Sequence, residues 1–127
     1  MHGASPTARL RGLRILVVED EYMLAEDLRR ALVRLDVEVV GPVATVAQAL
    51  ELVESGEAPD GAMLDVNLQG EAVFPVVDLL RERGVPFVLT TGYDRWNLPA
   101  AYADAPRCVK PLDMTRISRL LCEHLLS

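Results

Sequence analysis

Five side chains with complementary chemistry stand at the ends of short apolar runs. Glu19 and Asp20 follow Ile15-Leu16-Val17-Val18, and Asp65 follows Gly61-Ala62-Met63-Leu64. Thr91 closes Pro86-Phe87-Val88-Leu89-Thr90-Thr91, and Lys110 closes Arg107-Cys108-Val109-Lys110. Carboxylates crowded into a partly dry site repel one another and demand a counter-charge. Hard oxygen ligands, few and with room for water, suit Mg2+ completed by a phosphate group. A carboxylate nucleophile, a divalent cation, a hydroxyl donor and a fixed ammonium are the parts that phosphoryl transfer to aspartate requires. Each part alone is bland: an Asp after a strand is commonly a turn or cap residue, and a lone Lys a solvated charge. Their joint placement carries the weight.

That placement needs elements to make it. The runs are short, unbroken and bounded by turn residues such as Pro59-Asp60-Gly61, which reads as strands buried on both faces. Strands are expected at Arg14–Val18, Glu38–Val43, Gly61–Asp65, Pro86–Thr91 and Arg107–Lys110. Pro42 suggests that the second lies at an edge. Helical spacing of apolar residues follows four of them. Leu24, Leu28, Ala31, Leu32 and Leu35 mark the first helix; Val46, Ala49, Leu50 and Val53 mark the second, capped by Thr45 and ended by Ser55-Gly56. Val73, Val76, Val77 and Leu80 mark a third between Ala72 and Arg83, starting late because Pro75 fits only its first turn. Met114, Ile117, Leu120 and Leu121 mark the last, capped by Asp113. Residues 92–105 are the least regular, with Pro99 and Pro106 near their ends, so a helix there is short. Strand and helix alternate, which gives an α/β doubly wound parallel sheet of five strands with a shortened fourth helix. The flavodoxin-like order 2-1-3-4-5 makes strands 1 and 3 neighbours at the switch point, where ligands bind beyond the carboxyl ends.

The 127 residues suit one domain with a single core, and half are hydrophobic and a quarter charged. The net charge of −6 argues against non-specific nucleic-acid binding. No apolar run is long enough for a membrane span, and residues 13–18 are too short for a signal core. Cys108 and Cys122 read as reduced packing residues. Residues 1–12 are expected to form a flexible tail before a domain over 13–127, and cytoplasmic residence follows.

The chain resembles the receiver domain of two-component response regulators along residues 14–126. The motifs are Ile15-Leu16-Val17-Val18-Glu19-Asp20-Glu21, Leu64-Asp65-Val66-Asn67-Leu68, Leu89-Thr90-Thr91-Gly92 and Val109-Lys110-Pro111. The resemblance implies that Asp65 accepts a phosphoryl group from a histidine kinase or a histidine phosphotransfer protein. It implies Mg2+ bound by Asp20, Asp65 and the Asn67 main-chain carbonyl, with Glu19 acting through water, and phosphoryl oxygens held by Thr91 and Lys110. A cis Lys110-Pro111 peptide is expected. No catalysis beyond self-phosphorylation and autodephosphorylation is implied. The stretch Pro86-Phe87-Val88-Leu89-Thr90-Thr91-Gly92-Tyr93 is similar to a subgroup marked by Pro-Phe-x-Phe-Ala-Thr-Gly-Tyr, often single-domain proteins of alphaproteobacteria, with Leu89 and Thr90 replacing Phe and Ala.

Arg107 stands where many receivers carry the Tyr or Phe of the switch. The expected switch is therefore the segment 92–105, loose without phosphate and ordered with it, with Trp96 moving along. Tyr93 is a candidate shield for the acyl phosphate, and Trp96 and Arg107 candidate partner contacts. His124 suits a helix C-terminus and is not expected to bind a ligand. Because the sequence stops directly after the last helix, the expected output is protein–protein contact or a phosphate relay or sink, without an output domain. Two rivals are a pseudo-receiver that binds partners constitutively and a Mg2+-dependent phosphohydrolase with an Asp nucleophile. The latter normally needs a general acid two residues after the nucleophile, where this chain has Asn67.

Overall fold

The apolar runs do form the strands of one sheet. A computed structural model of the chain describes residues 9–92, 98–110 and 113–125, with Met114 described in its backbone alone. The main sheet holds β1 (Arg14–Val18), β2 (Glu38–Val43), β3 (Gly61–Asp65), β6 (Phe87–Thr91) and β7 (Arg107–Val109), all parallel, in the order β2-β1-β3-β6-β7. Counting these five alone, the order is 2-1-3-4-5, and Pro42 does lie on an edge strand. Two further strands, β4 (Asn67–Leu68) and β5 (Glu71–Ala72), form a small antiparallel hairpin directly after β3.

Four α-helices are described: α1 (Tyr22–Arg34), α2 (Val46–Ser55), α3 (Phe74–Glu82) and α4 (Met114–Leu125). Alternate strand residues face opposite layers, as the pleat dictates. Ile15, Val17, Met63 and Val88 pack with Leu28 and Leu32 of α1 and Ile117, Leu121 and Leu125 of α4. Leu16, Val18, Leu64 and Leu89 pack with Val46, Ala49 and Val53 of α2 and Val76, Val77 and Leu80 of α3. Both faces are thus covered, which leaves the edges of the sheet to carry polar chemistry. Gly61 suits this packing, because a Cβ there would stand 2.7 Å from a Leu125 methyl and the leucine would have to shift.

The caps fall where the sequence puts them. Gln48 N donates to Thr45 Oγ1 at 3.1 Å, and Arg116 N to Asp113 Oδ1 at 2.8 Å. α3 begins at Phe74 rather than Ala72, with Pro75 in its first turn, since the hairpin occupies the residues before it. Between β6 and β7 the described residues hold only a 3-10 turn, Ala100–Tyr102.

One expectation is corrected. The boundary at residue 13 is too late: Leu10 is wholly buried against the α1–α4 layer, and Gly12 N donates to Asp36 O at 2.8 Å. Within the segment 92–105, Ala101 and Tyr102 make contacts with α3 described below. Tyr93, Trp96 and Pro111 lie outside the described residues, and with them the cis peptide expected at residue 110; a cis peptide is found at Gly41-Pro42. Both cysteines are free thiols, Cys108 buried and Cys122 partly so.

Candidate phosphoacceptor site

The site lies where β1 and β3 end side by side. Glu19 leaves β1 with its N–H bound to Val43 O at 2.9 Å, so the edge strand fixes the first carboxylate. β1 and β3 pair Val18 with Leu64, which places Asp65 level with Glu19. Glu19 is 2% exposed and Asp65 7%. One oxygen from each of Glu19, Asp20 and Asp65 falls within 4.8 Å of the others. Glu21, next in sequence, has a separate role, because its carboxylate accepts from Leu24 N at 2.8 Å and caps α1.

Lys110 crosses from β7 to meet the acids. Its backbone N–H donates to Thr91 O at 2.8 Å, anchoring the residue to the end of β6. Its Nζ donates to Asp65 Oδ2 at 2.8 Å and lies 2.7 Å from Glu19 Oε1. The contact with Asp65 is the better directed of the two, and the Glu19 carboxylate has the ammonium as its counter-charge. Burial raises the Glu19 carboxyl from an ordinary 4.5 to about 7; the ammonium of Lys110 opposes the rise and the charge of Asp65 adds to it. Burial works against the Lys110 ammonium, but the two carboxylates outweigh it and hold its pKa above the ordinary lysine value.

Asn67 is held by the hairpin. Its N–H donates to Asp65 Oδ1 at 3.0 Å, and its own Oδ1 accepts from Gly70 N at 2.8 Å. The two-residue turn Gln69-Gly70 has positive φ at both positions, 55° and 92°, the backbone a tight hairpin demands. The Asn67 side-chain oxygen is therefore engaged by the turn.

The sequence-predicted residues are thus partly brought together. Glu19, Asp20, Asp65 and Lys110 form one cluster, with Asn67 at its edge. Thr91 is buried at the last position of β6, although the register sets Thr90, not Thr91, opposite Asp65. Arg107 stands away on β7, paired with Leu89 and exposed, its Nη2 3.5 Å from Ala103 O. Glu19 is the most buried of the three acids and pairs directly with Lys110. Sequence reasoning missed the hairpin, although a residue-Gly pair after a strand is its signal, and it missed the contacts of Tyr102.

Three carboxylates around one ammonium leave an excess of negative charge. That donor set, all hard oxygens, fits a divalent cation such as Mg2+.

A scan against models of known protein families finds no match. SdrG from Sphingomonas melonis Fr1 is 39% identical in sequence, and its solution structure matches with a TM-score of 0.79 over 98% of this chain and 100% of that one. The sensory transduction protein LytT of Bacillus cereus is 34% identical over 117 residues, 88% of this chain and 47% of LytT. The chain belongs to the response-regulator receiver family. This receiver spans about half the length of the curated relatives it matches. A second SdrG structure, of the BeF3-activated conformation from Pseudomonas melonis Fr1, is 41% identical with a TM-score of 0.74 and covers 87% of this chain and 94% of that one. The receiver of the sensor histidine kinase PA1611 from Pseudomonas aeruginosa PAO1, 23% identical with a TM-score of 0.79 over 91% of this chain and 99% of that one, shares the fold; that structure has a magnesium ion coordinated in its active site cleft. Among the described residues no helix is long and apolar enough to cross a membrane.

Proposed function

We propose that this receiver takes a phosphoryl group onto Asp65 from a phosphohistidine on a kinase or phosphotransfer protein. The observation that carries the reading is the meeting of Lys110 Nζ with Asp65 Oδ2 at 2.8 Å inside a cluster of three carboxylates. In the transfer, an Asp65 oxygen attacks phosphorus, the P–N bond breaks, and the imidazole leaves with the electron pair. Lys110 moves part of its attachment from Asp65 to the incoming phosphoryl oxygens, a charge-assisted contact in a partly dry site. Thr91 offers its hydroxyl to the same oxygens. Before transfer, Asn67 N–H holds Asp65 Oδ1 and so fixes the direction of attack.

Glu19, Asp20, Asp65 and the Asn67 carbonyl would hold Mg2+, which supplies the positive charge that lets phosphoryl oxygens enter an acidic site. The magnesium in the PA1611 receiver and the BeF3-activated state of SdrG support this assignment. The chain's own chemistry ends with the acyl phosphate and its hydrolysis, and the signal leaves by protein–protein contact or by relay. We infer membership of the subgroup with the Pro-Phe-x-Phe-Ala-Thr-Gly-Tyr loop from residues 86–93, which match it except at Leu89 and Thr90.

Calorimetry with beryllium fluoride tests the acceptor assignment. Binding to the wild type in Mg2+, absent in Asp65→Ala and without Mg2+, is the expected result. Binding that survives Asp65→Ala contradicts it.

A further inference from the structure

A second cluster of contacts joins α3 to the connection between β6 and β7. The Tyr102 ring stacks on Phe74 with centroids 4.1 Å apart and planes 8° from parallel. Its hydroxyl donates to Asp78 Oδ1 at 2.8 Å. The Arg81 guanidinium lies 5.4 Å from the Tyr102 ring centre and 5.7 Å from that of Phe87, and its Nη1 donates to Ala101 O at 2.9 Å. Phe74, Asp78 and Arg81 recur at spacings of four and three, so one helix face supplies all three contacts.

The other side of Phe74 leads back to Asp65 through the hairpin. Asp65 Oδ1 accepts from Asn67 N, Asn67 Oδ1 accepts from Gly70 N, and Asn67 pairs with Ala72 across the hairpin. Val73 N then donates to Val66 O at 2.9 Å, and Phe74 follows as the first residue of α3. These contacts offer a path from Asp65 to the first turn of α3 that does not pass through Thr91. Val76, Val77 and Leu80 bury one face of that helix, and Phe74, on its first turn, is only partly buried and meets Tyr102.

We propose that this path carries the signal from Asp65 to residues 98–106, with Tyr102 as the positioning residue that couples α3 to them. It rests on the reading of Asp65 as phosphoacceptor. A route of this kind answers the lack of an aromatic ring at Arg107. Two stacked rings either overlap or part, so the contact has the discrete arrangements that a switch element needs. Coupling is local: the stack and the Asp78 hydrogen bond act on the same ring, and the Arg81 bond to Ala101 holds the turn that presents it.

Amide hydrogen exchange of the full chain in Mg2+, with and without beryllium fluoride, tests the route. Wild type, Tyr102→Leu and Tyr102→Phe are compared, with fluoride binding measured alongside by calorimetry. In wild type, exchange in residues 98–106 changes when the fluoride binds. Tyr102→Phe keeps the stack and most of that change. Tyr102→Leu binds the fluoride as well as wild type and loses the change, and Phe74→Leu, which removes the other ring, gives the same loss. A change in Tyr102→Leu as large as in wild type overturns the route, as does fluoride binding to wild type that leaves residues 98–106 unaltered. Loss of binding in both leucine variants also overturns it, because the rings would then support the site rather than relay from it. Failure of wild type to bind the fluoride at all removes the phosphoacceptor reading itself, and this route with it.

Discussion

The Lys110 ammonium sits 2.8 Å from Asp65 Oδ2, although 45 residues separate the two in sequence. Parallel pairing of β3 with β6 and of β6 with β7 brings them together, so the sheet order itself assembles the ion pair. The same Nζ lies 2.7 Å from Glu19, and one cation thus stands between two buried acids. Removing it exposes both to each other. Lys110→Met should destabilise the metal-free protein by about 1–3 kcal/mol, below the 3–5 expected for a fully buried pair because the side chain keeps contact with water. Mg2+ should restore more stability in this variant than in wild type, since it replaces a lost counter-charge. Thermal melts of both proteins with and without Mg2+ check this; equal metal responses would contradict it.

The metal itself should stabilise the wild type. Mg2+ keeps much of its water and binds such clusters weakly, with a Kd on the order of millimolar. At ten times Kd the linkage amounts to about 1.4 kcal/mol. Asp20→Asn should weaken the Mg2+ response without unfolding the chain, because Asp20 is the least buried of the three acids. A titration showing unchanged affinity would remove Asp20 from the ligand set.

Glu19 sets a pH dependence whose sign is fixed. Its carboxyl is raised from 4.5 to about 7 in the folded chain, so between those values the folded state holds a proton that the unfolded state has released. Stability of the metal-free protein therefore contains a contribution that is present below about pH 4.5 and lost as pH rises through 7. Mg2+ must displace that proton, and its affinity should rise across the same window. Metal titrations at pH 5.5 and pH 8 distinguish this from a Glu19 that is ionised throughout, for which affinity would be flat. Both pH values are chosen to bracket the raised pKa.

Asp65→Asn should stabilise the metal-free protein. It removes one of the charges that push Glu19 upward, and its single amide oxygen keeps one of the two contacts, with Lys110 or with the Asn67 N–H, so the relieved repulsion is set against one lost hydrogen bond. A higher melting temperature than wild type without metal is expected. A lower one would make Asp65 a structural residue.

Much of this was legible in the sequence because buried parallel strands write themselves as unbroken apolar runs, and their last residues mark the carboxyl edge. Glu19, Asp65 and Lys110 could be named from that pattern alone, and the order of strands followed from alternation with helices. The hairpin at Asn67–Ala72 was hidden because its strands are two residues long and carry no periodicity; only Gln69-Gly70 marks it. Leu10 was read into a tail because one apolar residue has no pattern, and its burial depends on where α1 and α4 meet. Tyr102 escaped because its partners, Phe74, Asp78 and Arg81, belong to a helix whose outward face looks solvated in sequence.

The central claim is that Asp65 accepts phosphate. Intact mass of the protein after incubation with Mg2+ and acetyl phosphate tests it most directly. A gain of one phosphoryl group in wild type, absent in Asp65→Asn and absent when Mg2+ is chelated, is the predicted result. No gain in wild type, or an equal gain in Asp65→Asn, would contradict it.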